Sequence, residues 1–169
     1  MKLADCRAIL TGASGGIGSA LAEQLCAGGA RLLAVCRRRE GLTDLFRRFP
    51  EQMSFVAADL RESRGRQAVV EAAREVGGVN ALINAAGINR FALLEQVSDA
   101  EIDDLITLNV TAAVQLTRSV LPLLRSRPRA LIVNVGSTYG SIGYPGYAAY
   151  CASKFALRGF SQALRRELA

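Results

Sequence analysis

Tyr150 and Lys154 stand four residues apart in Tyr150-Cys151-Ala152-Ser153-Lys154. On a helix, positions i and i+4 share a face, so a lysine ammonium there sits beneath the tyrosine hydroxyl and favours its phenolate. A tyrosine so placed serves as a general acid or base near neutral pH. Near the other end of the chain lies a glycine-rich stretch, Thr11-Gly12-Ala13-Ser14-Gly15-Gly16-Ile17-Gly18. Glycines at such spacing let backbone approach a pyrophosphate, while a following helix offers free N–H groups and a favourable dipole. Together, a proton-transferring tyrosine and a dinucleotide loop predict carbonyl/alcohol redox chemistry.

Residues so far apart in sequence need a scaffold that returns them to one place. Short apolar, β-branched runs alternate with longer helical stretches, the pattern of a parallel sheet with crossover helices. Strands are predicted near 7–10, 31–36, 53–57, 81–84 and 130–135. Helices are predicted over 17–27, 40–49, 63–75, a broken pair across 99–124, and 147–168. Pro50, Gly77-Gly78 and Pro128 punctuate these elements. The expected fold is an α/β, Rossmann-like, doubly wound parallel sheet flanked by helices. No repeat, low-complexity tract or linker divides it, so 1–169 is expected to be one dinucleotide-binding domain.

The glycine stretch follows the first predicted strand and opens the first helix, the context that turns a glycine pattern into a dinucleotide site. Gly12, Ser14, Gly15, Gly16, Ile17 and Gly18 are its candidate contacts. In a NAD-preferring fold an acidic residue ends the second strand and holds the ribose 2′-hydroxyl. Here Cys36 stands there, followed by Arg37 and Arg38. Guanidinium groups match a 2′-phosphate, so NADP(H) is expected in preference to NAD(H), with Arg37 the main contact and Arg38 the second. A solvated basic turn is the plain alternative.

Composition bounds the remaining possibilities. The 169 residues are 50% hydrophobic and 21% charged, enough to bury one substantial core. No run approaches the roughly 20 apolar residues of a membrane span. The first residues hold no long apolar stretch, so no signal peptide is expected and a cytoplasmic location is the simple reading. The net charge of +6 rests almost wholly on arginine. Those arginines are scattered, with one cluster at Arg37-Arg38-Arg39 and no interleaved aromatics, which argues against nucleic acid. Four cysteines without a C-x-x-C pair and the lack of any histidine argue against zinc, so no metal is expected.

With these residues in view, the chain resembles the short-chain dehydrogenase/reductases. The glycine loop, Asp59-Leu60 after the third strand, Asn84-Ala85-Ala86-Gly87 after the fourth, Asn109, Ser137 after the fifth, and Tyr150 with Lys154 occur in that family's order and spacing. The resemblance implies that Asp59, with Leu60 beside it, contacts the adenine, and that Asn84, Ala85, Ala86 and Gly87 steady the central strand beside the cofactor. A helix cap is the plain alternative for Asp59 and for Asn109. By the same resemblance Tyr150 exchanges the proton and Ser137 positions the substrate oxygen. Lys154 supports the phenolate and bonds the nicotinamide ribose, and Asn109 helps hold a water on the path to solvent.

The substrate wall is expected from 138–147 and 88–91, both apolar and aromatic apart from Arg90. Such a wall suits an apolar ketone or a 3-oxoacyl compound better than a polyanion. Arg90 is left either to an acidic substrate or to solvent. The chain stops at Ala169, inside the helix that carries Lys154, whereas family members add a sixth strand, a substrate lid and a seventh strand. A C-terminally incomplete fold is therefore expected, a fragment of a longer enzyme, with a natural short form as the alternative. Its fifth strand would leave an open edge. The last two long helices suggest a homodimer or homotetramer. Two other functions remain open on sequence: a non-catalytic dinucleotide-binding scaffold or sensor, and an NAD-dependent alcohol dehydrogenase.

Overall fold

The computed structural model describes residues 2–169. Five parallel strands form one sheet: β1 (Arg7–Thr11), β2 (Arg31–Cys36), β3 (Met53–Ala57), β4 (Ala81–Asn84) and β5 (Leu131–Asn134). Their spatial order is β3-β2-β1-β4-β5, so the winding reverses between β1 and β4. Ile9 of β1 lies opposite Leu33 of β2 and Leu82 of β4. Ligands of open α/β sheets gather at the carboxyl ends of strands on either side of such a reversal.

Strand pleating sends alternate side chains to opposite faces, and both faces are covered. Leu10, Leu32, Ala34 and Ile83 join Ala22 and Cys26 of α1 (Gly16–Ala27) and Leu45 of α2 (Thr43–Arg48) on one face. Ile9, Leu33, Val35 and Leu82 meet Val69 and Ala73 of α3 (Ser63–Glu75) and Leu116 and Val120 of α5 (Ala113–Arg125) on the other. This explains why the strands read as continuous apolar runs. Leu131 of β5 is by contrast exposed, as befits an edge. All four cysteines are buried free thiols.

The predicted break across 99–124 is corrected. Instead α4 (Asp99–Ile106), a wide π-helical segment (Thr107–Ala112) and α5 follow without interruption, and Pro122 is accommodated inside α5. A Ser98–Glu101 capping box starts α4. The predicted helix over 40–49 is divided into a short 3-10 turn (Glu40–Leu42) and α2. The last helix, α6 (Ala148–Glu167), carries Tyr150 and Lys154. No helix among the described residues is long and apolar enough to cross a membrane.

Candidate active site

A cleft of about 540 Å³ opens at the carboxyl ends of β1, β2, β3 and β4. Its floor is the glycine loop. A Cβ on Gly12 would stand 2.8 Å from the Ala86 Cα, so the loop lies directly against the segment after β4. Thr11 clamps the same segment, its Oγ1 accepting the N–H groups of Ala85 and Ala86, each at 3.0 Å. A Cβ on Gly18 would meet the Gly12 carbonyl oxygen at 2.1 Å, which is how α1 starts so close to β1. Gly16 differs, because a Cβ there would meet nothing within 4 Å.

Gly15 caps α1 without a side chain, so among the described residues no capping side chain covers the first-turn N–H groups of Gly16, Ile17 and Gly18, which border the cleft. This open, donor-rich floor suits the diphosphate of a dinucleotide. Ser14 also borders the cleft, with Gly41 of the 3-10 turn close enough that a Cβ there would touch the Ser14 Cβ at 3.0 Å. Ala85, Ala86 and Gly87 form the facing wall. Asn84 turns away into the protein and is 5% exposed. Its Nδ2 donates to Thr117 Oγ1 at 3.0 Å and Asn134 Oδ1 at 2.8 Å, tying β4 to α5 and β5.

At the rim beyond β2, Arg37 and Arg38 are exposed and border the cleft. The Cys36 thiol donates to the Arg38 carbonyl at 3.0 Å and fixes this turn. Asp59 and Leu60 stand at the end of β3, Leu60 with its side chain in the core. Burial pushes the Asp59 carboxyl up, but hydrogen bonds from the Arg61 N–H (3.0 Å) and Nη1 (3.3 Å), with the charges of Arg61 and Arg37, bring it below the ordinary range. Asp59 thus caps a local turn at Arg61 rather than α3, whose cap is Glu62. Arg61 in turn binds Asp104 of α4 through Nε and, at 3.0 Å, Nη2.

The second cluster lies beside Gly87. A Cβ on Gly87 would stand 3.1 Å from Asn109 Oδ1 and 3.9 Å from Lys154 Nζ, so both side chains abut this one residue. Lys154 is 7% exposed and donates to the Val135 carbonyl at 2.9 Å. Burial lowers its pKa below the ordinary lysine value. Its Nζ lies 5.7 Å from the centre of the half-buried Tyr150 ring, on the face that i,i+4 spacing predicts. An ammonium has three hydrogens, so two remain for a ligand or a phenolate. Ser137 is half-buried, and its Oγ accepts the Tyr139 N–H at 3.2 Å, leaving its own hydrogen free to donate.

Asn109 sits in the π-helical segment and is 2% exposed. Its Oδ1 accepts the Ile88 N–H and its Nδ2 donates to the Ile88 carbonyl, both at 2.8 Å, and to Ser153 Oγ at 3.1 Å. Ser153, fully buried, passes the link on to the Tyr150 carbonyl at 2.7 Å. Sequence reasoning missed Thr11, Ser153 and Arg61. The first two stand within predicted motifs and had a positional signal. Arg61 had none, because its partner Asp104 is 43 positions away. Arg90 is half-exposed to solvent and pairs with Glu101 at 3.1 Å.

The family model described as short chain dehydrogenase matches residues 7–169. The chain belongs to the short-chain dehydrogenase/reductase family. Nodulation protein G of Rhizobium sp. (strain N33) is 36% identical over 169 residues, which is 99% of this chain and 69% of that protein. The 3-oxoacyl-[acyl-carrier-protein] reductase FabG of Vibrio cholerae is 34% identical over 170 residues, 100% of this chain and 70% of the relative. A metagenomic short-chain oxidoreductase solved in complex with NADP superposes with a TM-score of 0.91 at 32% identity, covering 99% of this chain and 78% of the other. The fold of this short-chain dehydrogenase/reductase is thus matched along nearly its whole length, while the chain spans about seven-tenths of those curated relatives.

Proposed function

We propose that this short-chain dehydrogenase/reductase is an NADP(H)-dependent oxidoreductase that interconverts an apolar ketone or 3-oxoacyl compound and its secondary alcohol. The observation that carries this is that Asn109 and Lys154 both abut Gly87, in the segment that also walls the dinucleotide cleft, with the Tyr150 ring 5.7 Å from the Lys154 Nζ. When bound, the nicotinamide supplies or accepts the hydride. Tyr150 donates a proton to the substrate oxygen in reduction and withdraws it in oxidation. The free hydrogen of Ser137 holds that oxygen in place. The Lys154 ammonium favours the Tyr150 phenolate, and its two free hydrogens serve Tyr150 and the nicotinamide ribose. Asn109, fully engaged with Ile88 and Ser153, holds the backbone beside Lys154 and the route to water.

The diphosphate would rest on Gly12, Ser14, Gly15, Gly16, Ile17 and Gly18. Asp59, Leu60 and the segment from Asn84 to Gly87 would border the adenosine and nicotinamide halves. Preference for NADP(H) over NAD(H) is supported by exposed Arg37 and Arg38 on the cleft rim, by Cys36 in place of a carboxylate, and by the NADP bound to a solved relative. One domain in the cytoplasm, acting as a homodimer or homotetramer through α5 and α6, belongs to the same proposal. Phe155, 44% exposed on α6, supports the association.

The test is Tyr150→Phe together with Arg37→Asp. Tyr150→Phe should abolish carbonyl reduction while an NADPH fluorescence titration stays near wild type, because it removes a proton and little volume. Arg37→Asp should shift the NADPH/NADH preference towards NADH. Wild-type turnover in the first variant, or an unchanged preference in the second, refutes the corresponding assignment.

A further inference from the structure

All four tyrosines of the chain stand within one contiguous cluster around the proposed proton donor. Tyr139 stacks on Tyr144 at 5.4 Å between ring centres, packs on Tyr147 at 4.9 Å and meets the Tyr150 ring edge-on at 6.3 Å. Tyr147 lies 5.8 Å from Tyr150 and 5.1 Å from Phe91. The Ala92 N–H donates to the Gly146 carbonyl at 2.9 Å, which ties the two wall segments together. The wall is open, with Phe91 66% and Tyr144 52% exposed. Phe91, Ile142 and Tyr144 keep large apolar surfaces in water along these two segments, and Leu93 and Leu94 extend the apolar surface just beyond residue 91, as a ligand-binding face does.

The rings of the wall carry no charge, and the charges near it stand at its edges. Residues 138–147 contain no ionisable side chain other than tyrosine, and Arg90 of the facing segment is half-exposed and paired with Glu101 at 3.1 Å. Arg158 reaches the far end of the loop, where it is engaged by Ser141 Oγ at 2.9 Å. An anionic carrier arm would find only these two guanidinium groups at the edges, whereas a flat uncharged ring finds ring faces and edges at stacking distance along the wall itself. Aromatic pairs add attraction beyond the area they bury, and a linear methylene chain gains only the area.

We propose that this tyrosine–phenylalanine wall selects aryl ketones over linear 3-oxoacyl compounds, with Tyr144 and Phe91 as the specificity-determining rings. The selection rests on the oxidoreductase assignment for its catalytic consequence but not for its binding. Because the chain has no tryptophan, its intrinsic emission comes from these four tyrosines alone. Titration with 2-acetonaphthone, corrected against free N-acetyltyrosinamide, should quench that emission to saturation, and 3-oxooctanoyl-N-acetylcysteamine should not. With NADPH, kcat/KM should favour the naphthone. Tyr144→Leu, which keeps an apolar side chain but removes the ring, should cut that preference by roughly two- to tenfold. Phe91→Leu should do the same and serves if the first variant fails to fold.

A wild-type preference for the thioester, or a preference unmoved in both variants, overturns the selection. If neither compound is reduced yet naphthone quenching saturates and weakens in Tyr144→Leu, the wall stands and the oxidoreductase assignment falls. If neither reduction nor quenching occurs, both fall.

Discussion

Two glycines two residues apart in the same loop should behave oppositely when each is replaced by alanine. At Gly18 the added methyl would stand 2.1 Å from the Gly12 oxygen and 2.8 Å from its carbonyl carbon. The first gap must widen by about 0.9 Å to reach 3.0 Å, the closest approach that side-chain carbons show. Both obstructing atoms are backbone, and Gly12 is itself wedged against Ala86, so the loop has little room to retreat. Overpacking of this kind costs about 2–3 kcal/mol. For a chain of this size that is a fall in Tm of about 5–10 °C. Gly16→Ala meets nothing within 4 Å and restricts the unfolded chain, so stability should hold or rise by about 0.5–1 kcal/mol. Its methyl would nevertheless enter the space reserved for the diphosphate, weakening NADPH binding at least roughly tenfold. Thermal unfolding followed by circular dichroism, paired with NADPH fluorescence titration, reads both quantities. Gly16→Ala with wild-type NADPH affinity would refute the phosphate floor, and Gly18→Ala melting with wild type would refute the close-packing argument.

Thr11→Val keeps shape but strands the Ala85 and Ala86 N–H groups, so it should cost about 2 kcal/mol and weaken both NADPH binding and turnover; loss of turnover alone would contradict the clamp. Lys154 has a folded-state pKa below its unfolded value, so over the interval between them the unfolded chain holds more protons and stability rises with pH. The difference in unfolding free energy between Lys154→Met and wild type should therefore move in favour of wild type as pH climbs towards about 10.4, and a pH-independent difference sinks the claim. Burial pushes the Cys26 thiol up to about 11 and raises Cys6 as well. Both should resist iodoacetamide at pH 8 in native protein and react promptly in urea, as mass spectrometry would show; rapid native labelling would mean the core opens readily.

The strands 31–36, 53–57 and 81–84 were legible to the residue because each is a short, largely apolar run bounded by polar or turn residues; 31–36 and 81–84 are buried on both faces, and 53–57 lies at the sheet edge. The placement of the glycine stretch at the start of α1 and of Tyr150 and Lys154 on one face of α6 was legible because each depends on local spacing alone. The π-helical segment was not. It is secured by the bonds of Asn109 to Ile88 and Ser153, which no local period reveals, and sequence offered a break instead. The engagement of Asp59 with Arg61 was hidden for a similar reason, since a carboxylate after a strand reads equally well as a ligand contact or as a turn.

The segment from Asn84 to Ile88 explains how the cleft and the proposed proton donor cohere. Thr11 holds the N–H groups of Ala85 and Ala86 from the β1 side. Asn109 holds both backbone polar groups of Ile88 from the helical side, and Asn84 anchors the start through Thr117 and Asn134. Side chains from β1, β5, α5 and the π-helical segment thereby bond Asn84, Ala85, Ala86 and Ile88, so that the stretch leaving β4 is held although it has no regular structure. One face of this plate meets the glycine loop at Gly12, and Gly87 meets Lys154. A dinucleotide lying against the plate would thus be set in register with Tyr150 by short, buried, mutually supporting bonds rather than by a flexible loop, the preorganisation that the proposed proton and hydride transfer in a single site demands.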